Sequence, residues 1–276
     1  MPVYFFALSQ VPVISTWKAV LVFIIIHFIM YPASNGYNSY MDRDEESIGM
    51  LEKPPPPTDE LFYISVILDT LAIALSFLVN LPFALCIIAN ILASRAYSYR
   101  GIRLKKYPIA GFLTVIVFQG AITYYMVYTG ASEDYRNLPI PWEGMIIASL
   151  LFGGFYPLTQ IYQHKQDLKD GVRTISYVLG YTGTFLFSGI MYTIADGLLF
   201  QYFSIRDQVM HFWILQVFFL PVVAYFLFWW MKVSRNNANA NFRYAMRMNI
   251  IASASTNIAF ISFCLLNHTF REALVL

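Results

Sequence analysis

The stretch KAVLVFIIIHFIMYPASNGYNSYMDRDEE, Lys18 to Glu46, decides how the chain is read. Its first half is an apolar run of the length that crosses the hydrocarbon core of a bilayer, which takes about 20 helical residues. Its second half turns polar and places Asn35, Asn38, Asp42 and Glu46 three, four and four residues apart. On a helix emerging from a membrane that spacing puts all four on one face. A face of oxygen donors suits a hard cation. Mg²⁺ in particular is held by one or two carboxylates, with water and substrate phosphate completing its octahedron, so Asp42 and Glu46 with amide help suffice.

The rest of the chain supports the membrane reading. Of 276 residues, 58% are apolar and only 12% are Asp, Glu, Lys or Arg, against roughly 45–50% and about 25% in a soluble domain. So little charge cannot cover the surface of a soluble protein of this length. Apolar runs recur along the chain, roughly at 14–33, 61–79, 81–96, 109–129, 143–160, 175–197, 210–231 and 248–267. They are continuous and long, unlike the alternating pattern of an outer-membrane barrel, so the fold class is all-α. Met1 to Ser9 is apolar but too short to cross, and reads as the second half of a helix that begins upstream. About nine transmembrane helices in one integral-membrane domain, 1–276, is the expectation, with two pseudo-repeated halves at about 1–130 and 131–276. The N-terminus lacks a basic region and a small-residue cleavage site, so it reads as mature protein rather than signal peptide. Cys86 and Cys264 lie in apolar runs and offer neither a disulfide framework nor metal-ligand spacing. With 18 basic and 16 acidic residues, nothing points to nucleic acid.

Alternating the spans puts 34–60, 95–108, 160–174 and 232–247 on one side, and these loops hold fourteen of the eighteen Lys and Arg. By the positive-inside rule that side is cytoplasmic, in a multi-pass protein of the cell membrane. Nine of the sixteen acids share it, Asp42, Asp44, Glu45, Glu46, Glu52, Asp59 and Glu60 in one loop and Asp167 and Asp170 in another. The positive-inside rule does not ask for them. Asp44, Glu45, Glu52, Asp59, Glu60 and Asp170 read as ordinary solvated loop charges; Asp42 and Asp167 do not, because their surroundings repeat. Asn38, Ser39, Asp42 and Glu46 have offsets of zero, one, four and eight, and so do Thr159, Gln160, Gln163 and Asp167. Two oxygen-rich helix ends on one membrane face, with Mg²⁺ between them, would form a diphosphate site. Lys53, Arg103, Lys105 and Arg173 lie on the side needed to hold phosphate oxygens.

Polar residues at bilayer depth are expensive: Asp69, Asn80, Asn90, Gln119, His27, Asp196, His211, Gln216 and Asn257. Asn90, Gln119 and Asn257 read as interhelical hydrogen-bond partners. His27 lies two turns before Asn35, near the motif face, and is weighed as a packed histidine or a general base. Asp69 and Asp196 have no evident partner. Trp142, Tyr156, Trp213, Trp229 and Trp230 fit an interfacial aromatic belt.

Three stretches carry a family likeness. NSYMDRDEE, Asn38 to Glu46, resembles the NDxxDxxxD signature of the UbiA superfamily of intramembrane prenyltransferases, typified by 4-hydroxybenzoate polyprenyltransferases, and is followed as there by a proline-rich basic run, here LEKPPPPT. AYSYRGIRLKKYP, Ala96 to Pro108, is similar to the family's Tyr-Ser…Arg-Leu-Lys loop. QIYQHKQDLKDGVRT, Gln160 to Thr174, resembles the second Asp-rich motif with its trailing Gly171 and Arg173. The matches follow the family's order along nearly the whole chain.

The resemblance implies a nine-helix bundle around a central cavity that binds an isoprenyl diphosphate through Mg²⁺, ionises it, and passes the allylic cation to a lipophilic or aromatic acceptor. Asp42 and Asp167 become the catalytic pair, with Asn38, Asp42, Glu46, Gln163 and Asp167 as metal ligands. Asn35, Lys53, Arg103, Lys105 and Arg173 become diphosphate contacts, and Tyr97, His27, Gln160 and Tyr162 further candidates. The family commonly has Asp where this chain has Ser39, Glu46 and Gln163, so the second motif keeps Asp167 as its charge and Gln163 as a neutral oxygen. A terpene cyclase of the same superfamily, needing no acceptor, is the alternative. A transporter is a third reading, but the polar ligands gather at one face rather than at the midplane.

Overall fold

The computed structural model describes residues 2–43, 47 and 51–275, with side chains as far as Leu266. Among the described residues ten α-helices follow one another, with short 3-10 turns between some of them: α1 Pro2–Ser9, α2 Thr16–Asp42, α3 Asp59–Ser76, α4 Leu81–Ser98, α5 Pro108–Gly130, α6 Trp142–Gln160, α7 His164–Lys169, α8 Ile175–Ile205, α9 Val209–Arg235 and α10 Phe242–Val275. Among the described residues the only extended pairing is a single bridge, Ile14 with Ser132. Six helices, α2, α4, α5, α8, α9 and α10, are long and apolar enough to cross a membrane. With α1, α3 and α6 they form the expected nine-helix bundle, and α7 is a short cap outside it. Each expected span falls on a helix, although α3 and α6 are not among the six that qualify as membrane spans and α3 ends at Ser76; elsewhere the helices run further than expected, α2 carrying its polar half as helix to Asp42 and α10 taking in Arg243 and Arg247, expected in a loop.

The bundle's outer face is apolar. Val20, Phe28, Ile67, Leu92, Val217 and Leu220 are all exposed, a distribution that only lipid would tolerate. Inside, α6 lies between α5 and α8, α9 pairs with α10, and α1 is enclosed between α5 and α10. The α5–α6 approach is close because Gly120 has no side chain: a Cβ there would stand 2.5 Å from Ser149 Cα. Asn80 starts α4 by accepting from Phe83 N at 2.9 Å and ties it to α5 by donating to Thr129 O at 3.0 Å.

Two helices contain a π-helical turn, Ile25–Met30 in α2 and Ile116–Ile122 in α5. An extra residue in a turn rotates the remainder of its helix by about 100°, and such turns often serve functional sites. In α2 the turn contains His27. His27 Nδ1 donates to Phe23 O, 3.1 Å away, and the ring packs among Tyr4, Phe23 and Tyr31.

The acids without evident partners have them. Asp69 on α3 pairs closely with Arg95 on α4, whose guanidinium also covers the Tyr37 ring at 3.7 Å. Asp196 on α8 accepts from Gln216 on α9 at 2.6 Å. The aromatic belt is smaller than expected. Trp142 and Trp213 are exposed, whereas Trp229 is fully buried and donates to Asn239 O at 2.9 Å. Trp230 and Tyr156 line interior cavities.

Candidate functional site

A cavity of 580 Å³ opens where the C-terminal ends of α2, α4 and α6 meet the α4–α5 turn and α7. Its rim carries residues of both sequence motifs: Asn35, Asn38, Ser39 and Asp42 from α2, and Thr159 and Gln160 from α6, Gln163 from the turn after it and Asp167 from α7. The described residues of the two repeats, all but Glu46, therefore line one cavity, although by different routes. The first motif as far as Asp42 lies on one continuous helix, which stops when Arg43 adopts a left-handed conformation, φ 53°. The second is split by a turn at 161–163, with Gln163 N returning to Gln160 O at 2.9 Å before α7 begins. Gly171, at φ 69°, closes α7: its N–H reaches Leu168 O at 3.1 Å and the next N–H, Val172, reaches Asp167 O at 2.8 Å. This C-cap turn favours glycine and explains the glycine that trails the motif.

Basic side chains converge on the first carboxylate. The Lys105 ammonium is in close contact with Asp42, and Arg103 Nη2 lies 3.6 Å from Asp42 Oδ1. Arg103 is itself a left-handed residue, φ 51°, a conformation costing about 1–3 kcal/mol in a non-glycine residue. Its guanidinium is held by the Asp170 carboxylate in close contact and by Asp170 O at 3.2 Å. Asn38 Oδ1 accepts from Ser98 Oγ at 2.7 Å and Lys105 Nζ at 3.5 Å. The hydroxyls of Tyr97 and Tyr156 are hydrogen-bonded to each other across the cavity. Below them Met30, Phe118, Phe152 and Phe155 make an apolar wall, broken by Asn90 and Gln119. Phe152 and Phe155 also border a second, apolar cavity of 820 Å³ among α6, α8, α9 and α10.

The donor set fits a hard divalent cation. No three His, Cys, Asp or Glu side chains among the described residues form a ready cluster, so a cation would have two carboxylates, Asp42 and Asp167, with neighbouring amides. That is the sparse oxygen set that Mg²⁺ shares with water and phosphate. Asp42 Oδ1 and Gln160 Oε1 are buried without a hydrogen-bond partner, and a buried acceptor left unmatched is a place for a ligand.

Of the residues singled out from sequence, Asn35, Asn38, Asp42, Tyr97, Lys105, Gln160, Gln163 and Asp167 all line the cavity. Arg103 is buried beside Asp42 and is not part of the lining; Lys53 and Arg173 are exposed and do not line the cavity, although Val172 and Thr174, on either side of Arg173, do. Tyr162 packs edge-on against Phe242, and His27 sits among rings. Glu46 lies outside the described residues. Two lining residues differ from their sequence-based roles, Asp170, expected as a solvated loop charge, and Tyr156, expected as a belt position; Asn90 and Gln119 also line the cavity, and Asn90 makes the expected interhelical bond, donating to Met126 Sδ at 3.9 Å. For Asp170 and Tyr156 the signal is their place within or one turn from the second motif. Beside the site, His164 on α7 bonds Ser176 Oγ at 2.8 Å and stacks on Tyr181; burial pushes its pKa from 6.5 down to about 4.

Residues 1–251 match the family model described as the UbiA prenyltransferase family. The chain belongs to the UbiA family. The matched region contains both motifs and reaches into α10, so the site and the membership concern the same helices. No curated protein matches the sequence. Solved UbiA structures share the fold at low identity. A UbiA homologue from Archaeoglobus fulgidus bound to DMAPP and Mg²⁺ has a TM-score of 0.67 and 16% identity, over 95% of this chain and 93% of that one. The apo form of a homologue from Aeropyrum pernix K1 has a TM-score of 0.68 and 17% identity over 93% and 95%. A structure of a digeranylgeranylglyceryl phosphate synthase has a TM-score of 0.61 and 17% identity over 96% and 90%. With six candidate spans, this UbiA protein is a multi-pass membrane protein.

Proposed function

We propose that this UbiA protein is a Mg²⁺-dependent intramembrane prenyltransferase, which ionises an isoprenyl diphosphate and transfers the prenyl group to a lipophilic or aromatic acceptor. The observation that carries the reading is the convergence of the two motif ends on one cavity whose rim is charged and whose depth is apolar. The Archaeoglobus homologue bound to DMAPP and Mg²⁺ supports it by analogy of fold. By the distribution of basic residues, the rim faces the cytoplasm, where water-soluble diphosphate head groups arrive.

Asp42 and Asp167 would hold Mg²⁺, with Gln163, Gln160 and Asn38 as amide oxygens near them. Bound there, Mg²⁺ supplies Lewis acidity toward the departing diphosphate. Lys105 would turn from Asp42 to a phosphate oxygen, as its flexible stem allows. Asn35 and the tyrosine pair Tyr97–Tyr156 line the next layer down, where C1 of the prenyl group would lie. Below, Phe118, Phe152 and Phe155 exclude water, which would otherwise capture an allylic cation, and their ring faces stabilise positive charge by about 0.5–2 kcal/mol each.

The test is to incubate the detergent-solubilised protein with Mg²⁺ and dimethylallyl, geranyl, farnesyl or geranylgeranyl diphosphate, with and without aromatic or lipid acceptors, and to analyse the products by mass spectrometry. Consumption that requires an acceptor establishes the transferase. A cyclic hydrocarbon or alcohol from the diphosphate alone would establish a cyclase instead.

A further inference from the structure

Two carboxylates compete for the one guanidinium behind the site. Arg103 Nη2 lies 3.6 Å from Asp42 Oδ1, but it is in close contact with Asp170 Oδ2, and Nη1 donates to Asp170 O at 3.2 Å. Arg103 is 9% exposed and its backbone is fixed in a left-handed turn at φ 51°, so its charge has few other places to go. Lys105, the other cation on Asp42, differs: it lines the cavity and can leave for a phosphate. Arg103 can only move between its two acids. A fork-shaped guanidinium pairs strongly with whichever carboxylate it meets in good geometry, and a cation seated on Asp42 would repel any metal ion placed there. The charge of Asp170 therefore decides how much of the Asp42 charge is left. Arg100 Nη2, 3.6 Å from Asp170 Oδ1, helps to hold that carboxylate in place.

We propose that Asp170 is a positioning residue for the metal site: as the main partner of Arg103 it keeps that guanidinium from closing on Asp42, and so leaves Asp42 open to a divalent cation. The inference rests on the metal-dependent reading above, and it adds to that reading a residue that contacts neither metal nor substrate. It also gives the buried, backbone-strained Arg103 an electrostatic role in place of a phosphate contact.

The test is titration of Mn²⁺ into the detergent-solubilised full chain, followed by electron paramagnetic resonance, with no diphosphate present. Asp170→Asn keeps the shape and removes the charge, and should raise the Mn²⁺ dissociation constant at least fivefold. Adding Arg103→Met to Asp170→Asn should bring it back to within twofold of the unaltered chain, because no guanidinium remains to close on Asp42. Asp170→Glu should bind as the unaltered chain does. A purely structural role for the Arg103–Asp170 pair would make the double variant no better than the single one. Unchanged affinity in Asp170→Asn, a loss that Arg103→Met does not reverse, or absence of Mn²⁺ binding by the unaltered chain overturns the proposal. Turnover is not read here. A chain that consumed no prenyl diphosphate yet showed this pattern would refute the proposed function and leave the role of Asp170 standing.

Discussion

Asp69→Ala should be among the most destabilising single substitutions in the bundle. The Asp69 and Arg95 side chains are only 10% and 19% exposed and lie between α3 and α4. Without the carboxylate, Arg95 keeps Ser65 O at 3.4 Å and the face of Tyr37 at 3.7 Å, neither of which carries a full negative charge. Removing one partner of a buried ion pair costs about 3–5 kcal/mol because the other charge is left uncompensated. At roughly 2–4 °C per kcal/mol for a chain of this size, Tm should fall by roughly 6–20 °C. The double substitution Asp69→Leu with Arg95→Met removes both charges and should recover most of the loss, since well-packed apolar pairs replace buried ion pairs at little or no cost. Thermal unfolding in one detergent, followed by intrinsic fluorescence, measures all three chains. A Tm unchanged in Asp69→Ala, or a double variant as unstable as the single one, would refute the reasoning.

Other substitutions test other parts of the account. Gly120→Ala drives a Cβ to 2.5 Å from the Ser149 backbone; overpacking of that kind costs about 1–3 kcal/mol, and the same unfolding assay should show a Tm several degrees lower. Lys105→Ala removes a charged contact worth about 1.5–3 kcal/mol and should raise the diphosphate KM roughly tenfold to a hundredfold, as steady-state kinetics would show. His164 makes stability depend on pH. Its folded-state pKa, about 4, is below the ordinary 6.5, so the unfolded chain binds the extra proton. Its contribution is complete above pH 6.5 and is lost as the pH falls from 6.5 toward 4. His164→Phe should flatten the dependence of Tm on pH across that window, and a slope equal to that of the unaltered chain would contradict the assignment.

The helical class and the spans were legible because long apolar runs admit few other structures in lipid. Spacing singled out Asn38, Asp42, Gln163 and Asp167, and all four line one cavity, although a turn at 161–163 rather than one continuous helix brings the last two there. Backbone detail set the features that spacing could not give. His27 lies within the π-helical turn at Ile25–Met30, where regular helix spacing no longer predicts its face, and the turn at 161–163 lets α7 fold over the rim and bring Asp170 with it. Charges counted along the chain likewise say nothing of pairing. Lys53, Lys105 and Arg173 look equivalent as basic loop residues, yet only Lys105 is directed inward to Asp42. Asp69 and Arg95 found each other across two helices, a contact that no local pattern announces.

The most direct test of the central claim, that the two motifs form one metal-dependent diphosphate site, is pyrophosphate release from dimethylallyl and geranyl diphosphate by the unaltered chain, Asp42→Ala and Asp167→Ala, each with Mg²⁺ and with a chelator. The account predicts release, in the presence of a suitable acceptor, only by the unaltered chain with Mg²⁺, with both variants folded and silent. Undiminished release by either variant, or release that survives the chelator, would contradict it.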